Sequence, residues 1–70
     1  MSIAELLEQF EIQGAYHIKV WNDEMETYVT LAEGNDFEYE KWELKWKILK
    51  RKITYMYAMN NLLVIEVEDK

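Results

Sequence analysis

The sequence predicts a small α+β fold: an antiparallel β-sheet of about four strands with a short N-terminal helix. Three observations predict it. A capping box opens a helically spaced apolar run at the start, the apolar period changes to two from Ala15, and two alternating runs flank Asn60-Asn61 near the end. Seventy residues make a single domain, 1–70. A chain this short buries only about 60% of its unfolded surface, and with no Cys it has no disulfide or thiolate zinc site to support its core. Half of the residues are apolar and ten are aromatic, more than one side of one small sheet can bury, so a homo-oligomer (dimer or tetramer) is expected.

In Ser2-Ile3-Ala4-Glu5 the Ser hydroxyl can accept from the N3 amide while Glu5 reaches back to the Ser2 amide. Ile3, Leu6, Leu7 and Phe10 follow at helical spacing, which predicts a helix over about 2–10, with Gly14 at its end or the turn beyond. From Ala15, Tyr16, Ile18 and Val20 point one way and His17, Lys19 and Trp21 the other. Asn22 to Glu26 forms a turn, Thr27 to Ala32 the returning strand, and Glu33 to Asp36 a second loop. Residues 37–49 fit two periods. Trp42, Leu44, Trp46 and Ile48 alternate as in a strand, whereas Tyr39, Trp42, Trp46 and Leu49 have helical spacing; Lys, Glu and Leu content favours a short helix or irregular crossover.

Ile53 to Met59 and Leu62 to Glu68 form a hairpin, because Asn tolerates the positive φ that a two-residue type I′ turn requires. That turn sets the register. On one side Ala58 faces Leu63, Met56 faces Ile65 and Thr54 faces Val67, a continuous apolar set expected in the core. On the other, Met59 meets Leu62, Tyr57 meets Val64, Tyr55 meets Glu66 and Ile53 meets Glu68. The patch of Tyr57, Met59, Leu62 and Val64 is therefore expected to be an oligomer interface, covered by another copy of the chain.

The net charge is −6, unevenly distributed. Residues 41–52 hold six of the eight cations (Lys41, Lys45, Lys47, Lys50, Arg51 and Lys52) against one acid, Glu43, a formal +5, which leaves −11 for the remaining 58 residues. Trp42 and Trp46 lie among those cations. Interleaved cations and aromatics suit phosphate contact and base stacking, which makes Lys45, Trp46, Lys47, Lys50, Arg51 and Lys52 the candidate nucleic-acid-binding residues. The same pattern also describes a half-buried element whose tryptophans belong to the core. Glu38, Glu40 and Glu43 are placed to neutralise the front of the stretch, with Glu43 to Lys47 at the spacing of a helical ion pair.

Asp23, Glu24 and Glu26 offer oxygen ligands for a divalent cation such as Mg; the plainer reading is a solvated turn. His17 sits mid-strand with no nucleophile at catalytic spacing, so it reads as structural. The sequence has no phosphate-binding loop, dinucleotide fingerprint or zinc motif, and no small-molecule cofactor is expected. No signal peptide is expected, since the start lacks a basic region and a long apolar run, and no stretch approaches the roughly 20 apolar residues of a membrane span; with no Cys, a cytoplasmic location is expected.

Two stretches carry a resemblance: Glu11 to Trp21 running on to Tyr28 to Gly34, and Lys52 to Ala58 with Leu63 to Val67. They resemble small proteins of gut Clostridia and their phages, a group with a DNA-nicking anti-CRISPR member whose fold is like that of the single-strand-binding coactivator positive cofactor four. The resemblance implies a homo-oligomer of curved antiparallel sheets that acts on DNA, nicking supercoiled molecules and relieving torsion. It also implies a catalytic acid, for which Asp23 is the match, with Asn22 where a second acid is expected. The alternative is a non-catalytic module that inhibits a host protein through its acidic surface.

Overall fold

The computed structural model describes residues 1–69. Its elements are helix α1 (Ile3–Gln9), strands β1 (Ala15–Asn22) and β2 (Thr27–Gly34), a helical crossover, and strands β3 (Ile53–Met59) and β4 (Leu62–Val67). The crossover consists of α2 (Phe37–Glu40), a 3₁₀ turn (Lys41–Glu43) and α3 (Trp46–Leu49). The α+β class, the four strands and the N-terminal helix are as the sequence predicts.

Strand order is β2-β1-β4-β3. Both hairpins are antiparallel as expected, but β1 and β4 pair in parallel at the centre, so the sheet is mixed. The crossover carries the chain from the β2 edge to the opposite edge, and β4 then returns to fill the gap beside β1. Each hairpin is a local product of its turn; the pairing between hairpins is not.

The capping box forms in full: the Glu5 N–H donates to Ser2 Oγ at 3.2 Å and the Ser2 N–H to Glu5 Oε1 at 3.1 Å. The Ser2 N–H, with the Ser2 hydroxyl beside it, holds the Glu5 carboxyl below its usual range. Ile3 and Leu6 then reach the core, where they meet Tyr16, Ile18, Val20, Ile65 and Val67 of the sheet and Phe37 and Ile48 of the crossover. Helix and crossover thus lie on one face of the sheet. Phe37 is fully buried against Tyr16, with ring centroids 4.7 Å apart, and its N–H donates to the Gly14 carbonyl at 2.9 Å. Gly14 adopts a φ of +95°, which a side chain would strain.

Asn60 and Asn61 take φ values of 51° and 63°, as the predicted turn requires. The expected register holds from Met59↔Leu62 to Tyr55↔Glu66 and then shifts, so Ile53 pairs with Val67. The pairings of Thr54 with Val67 and Ile53 with Glu68 are therefore corrected. A bulge at Thr54 reverses the alternation, sending Ile53 against the core and leaving Thr54 exposed. A second bulge, at Leu31, lets both Leu31 and Ala32 pack on the core side of β2.

The expected core set of the second hairpin is only half buried. Ile65 and Val67 are covered, but Met56 remains 45% exposed and Ala58 is exposed. Their strand is the sheet's edge, and α1 and the crossover cover the strands further in. No helix among the described residues is long and apolar enough to cross a membrane.

Candidate nucleic-acid interface

The crossover is too broken to be an amphipathic helix. Asp36 caps α2, its carboxylate accepting from the Tyr39 N–H at 3.4 Å, and Glu40 Oε2 accepts from the Asp36 N–H at 2.7 Å. Leu44 and Lys45 are extended, separating the 3₁₀ turn from α3. The Glu43–Lys47 helical pair does not form, because that break interrupts the spacing it needs. Of the acids expected to neutralise the stretch, Glu38 does so, pairing with Lys41. The Lys41 ammonium holds the Glu38 carboxyl below its usual range, helped by the Ile12 N–H at 3.3 Å.

Beyond Lys41 the lysines are available. Lys45, Lys47, Lys50 and Lys52 are exposed, and none forms an ion pair among the described residues. Arg51 is used by the fold: its Nε donates to the Lys47 carbonyl at 3.2 Å, and Nη1 to the carbonyls of Glu68 and Asp69 at 3.0 and 2.8 Å. Its charge remains while its donors are largely committed. Lys52 lies where the Ser2 segment bridges to the start of β3.

Tyr39, Trp42 and Trp46 are 77%, 82% and 67% exposed, so the reading of both tryptophans as core does not hold. The core residues of this segment are Phe37 and Ile48, with Leu44 and Leu49 partly buried against them. Helical spacing pointed to the wrong side of the crossover because the extended Leu44 and Lys45 break the helical run.

Between α3 and the bulged part of β2 lies a groove of about 410 Å³, floored by Leu31, Leu44 and Ile48. Lys45, Lys47 and Arg51 line it, with Glu43 its single acid. Three of the sequence-predicted residues thus share one concavity, with Trp46 adjacent in sequence; Lys50 and Lys52 lie outside it. Thr30, Leu31 and Ala32 form its other wall, a contribution that sequence reasoning missed, since only the sheet brings β2 beside the crossover.

Asp23 and Glu24 stand in the exposed β1–β2 turn. Asp23 Oδ1 accepts from Trp21 Nε1 at 2.7 Å. Among the described residues no three His, Cys, Asp or Glu side chains converge to hold a metal.

The helix-free face of the sheet is organised around Lys19. Its Nζ donates to the Tyr57 hydroxyl at 3.2 Å, lies 4.0 Å from Glu66 Oε2 and sits 4.1 Å from the Tyr28 ring centroid. The Tyr57 hydroxyl, with Glu66 beside it, pushes the Lys19 pKa up. Tyr28 donates to Glu66 Oε1 at 2.8 Å, which raises its own pKa. His17 Nε2 and Thr30 Oγ1 share a hydrogen bond at 2.9 Å. Of the expected interface patch, Val64 is only 3% exposed within one chain, Tyr57 and Leu62 are half-buried and Met59 is exposed. No family model, curated protein or solved structure matches the chain.

Proposed function

We propose that the chain binds DNA, with single strands or locally opened duplex as its ligand, through the crossover groove. The observation that carries this reading is the convergence of Lys45, Lys47 and Arg51 on one groove beside exposed tryptophans, with no ion pair to Lys45 or Lys47 among the described residues. Lysines of this kind neutralise phosphates and release counterions. Rings of this exposure stack on bases irrespective of sequence, each worth about 1–3 kcal/mol. Duplex shields its bases from such rings, so an opened strand is the better ligand.

Titration with a single-stranded oligothymidylate, followed by tryptophan fluorescence, tests the proposal. Quenching is expected, with an affinity that falls as salt rises and exceeds that for duplex of equal length. Absence of binding at low salt overturns it and favours the acidic protein-interaction module.

Nicking of supercoiled DNA in a phage or mobile-element setting, with anti-CRISPR action, is a separate proposal resting on the sequence resemblance and on Asp23. The turn supplies exposed carboxylates at Asp23 and Glu24. Supercoiled plasmid incubated with the protein and Mg²⁺ tests it: open-circular product from wild type but not from Asp23→Ala supports nicking.

A further inference from the structure

The two outer edges of the sheet are protected unequally. On β2, a bulge at Leu31 interrupts the edge, Glu33 and Gly34 end it, and the crossover flanks Thr30 to Ala32 across the basic groove. Such devices normally keep exposed edges from pairing. On β3 the N-terminal segment covers only the start, where the Ile53 N–H donates to the Met1 carbonyl at 2.8 Å. From Thr54 to Met59 the strand has no charged residue and no proline.

The two-residue turn makes Met59 and Leu62 a hydrogen-bonded pair. Alternation from that pair turns the main-chain N–H and C=O groups of Met56 and Ala58 outward, away from β4. Among the described residues no loop or terminus supplies these groups a backbone partner. Beside the same edge, Met56, Leu6, Leu63 and a 55%-exposed Phe10 line an apolar groove of about 400 Å³.

We infer that β3 pairs with β3 of a second copy, antiparallel about a two-fold axis through Tyr57. In this register Met56 and Ala58 of one copy exchange main-chain hydrogen bonds with Ala58 and Met56 of the other. Moving the axis one residue either way brings the Thr54 bulge or the Asn60 turn into the ladder, so the free edge accepts one register. The side chains then complement themselves. On the helix side Met56 lies opposite Ala58, long against small. On the other face Tyr55 lies opposite Met59, a thioether–aromatic pairing, and the two Tyr57 rings meet at the axis. No like charges are brought together along the ladder, although each chain is strongly acidic. An edge that is neutral, bracketed on both sides and complementary to itself fits a second copy better than a charged partner. The pairing uses Tyr57 and Met59 of the expected interface and leaves Leu62 and Val64 inside their own chain.

Light scattering and amide hydrogen exchange of the 70-residue chain test the inference without reference to DNA. A dimer is expected at micromolar concentration, with the Met56 and Ala58 amides protected as concentration rises and exchanging freely on dilution. Met56→Lys and Ala58→Lys are each expected to weaken association by at least about tenfold, equivalent to ~1.4 kcal/mol, with the circular dichroism spectrum unchanged. A wild-type monomer at high micromolar concentration overturns the inference and leaves the edge to a partner of different sequence. A dimer whose Met56 and Ala58 amides exchange at the monomer rate also overturns it, placing the contact elsewhere. The exchange measurement on wild type decides the matter even where a lysine variant fails to fold.

Discussion

The crossover and the helix-free sheet face both combine lysines with aromatic rings, and they use them in opposite ways. On the sheet face Lys19 finds Tyr57, Glu66 and the Tyr28 ring within its own chain. On the crossover Lys45 and Lys47 have no ion-pair partner among the described residues, and Trp42 and Trp46 stand in solvent. A cation satisfied internally contributes to the fold; one left unpaired beside a ring is available to a ligand. The cause is backbone regularity. Register sets Lys19 opposite both Glu66 and Thr30, whereas the extended Leu44 and Lys45 break the crossover and separate Glu43 from Lys47.

The largest effect that breaks this contrast is expected at Phe37. Phe37→Ala empties a fully buried site that anchors the crossover, at a cost of about 3–5 kcal/mol. That is a large share of the stability of so small a domain. Thermal melting should show the loss, and any folded remainder should bind DNA weakly. Next, Trp46→Ala is expected to weaken single-strand binding by about 1–3 kcal/mol while the melting temperature barely moves. Val64→Ala reverses that pattern: it removes a buried group from the sheet face, costing about 2 kcal/mol of stability with oligothymidylate affinity unchanged. If Val64→Ala and Trp46→Ala alter binding alike, the division of labour between the two regions fails.

A smaller effect concerns salt. Lys45→Ala and Lys47→Ala should each reduce the slope of log affinity against log salt by about 0.7, whereas Lys19→Met should leave the slope unchanged. The smallest effect is expected in acid. Glu38, held low by Lys41, and Glu5, held low by Ser2, keep their charge in the folded chain below the ordinary carboxyl value of 4.5. As pH falls through that value the unfolded chain takes up protons first, so stability is lost until the folded carboxyls protonate. Glu38→Gln should therefore flatten the acid limb of melting temperature against pH.

Features set by neighbouring residues were legible in the sequence. Ser2 and Glu5 gave the helix start, and Asn60-Asn61 gave the turn and the register for five residue pairs. The candidate interface was legible as composition: the cations of 41–52 were identifiable, but not which of them the fold consumes. Arg51 looked as free as Lys50, and only the C-terminal carbonyls of Glu68 and Asp69, far along the chain, show otherwise. Trp42 and Trp46 fitted core and surface equally well, because a period matching both strand and helix cannot choose a face.

By itself the sequence determined the α+β class, the two hairpins, the capped helix and the concentration of positive charge. These follow from steric preference and hydrogen bonding within a few residues. Tertiary structure alone decided that β4 runs parallel beside β1, that Leu31 bulges to wall a basic groove, and that the β3 edge is left open. Those outcomes depend on which surfaces α1 and the crossover have enough apolar area to cover. With a fixed supply of covering residues, the inner strands are buried first, and the outer strand keeps its backbone for whatever comes next.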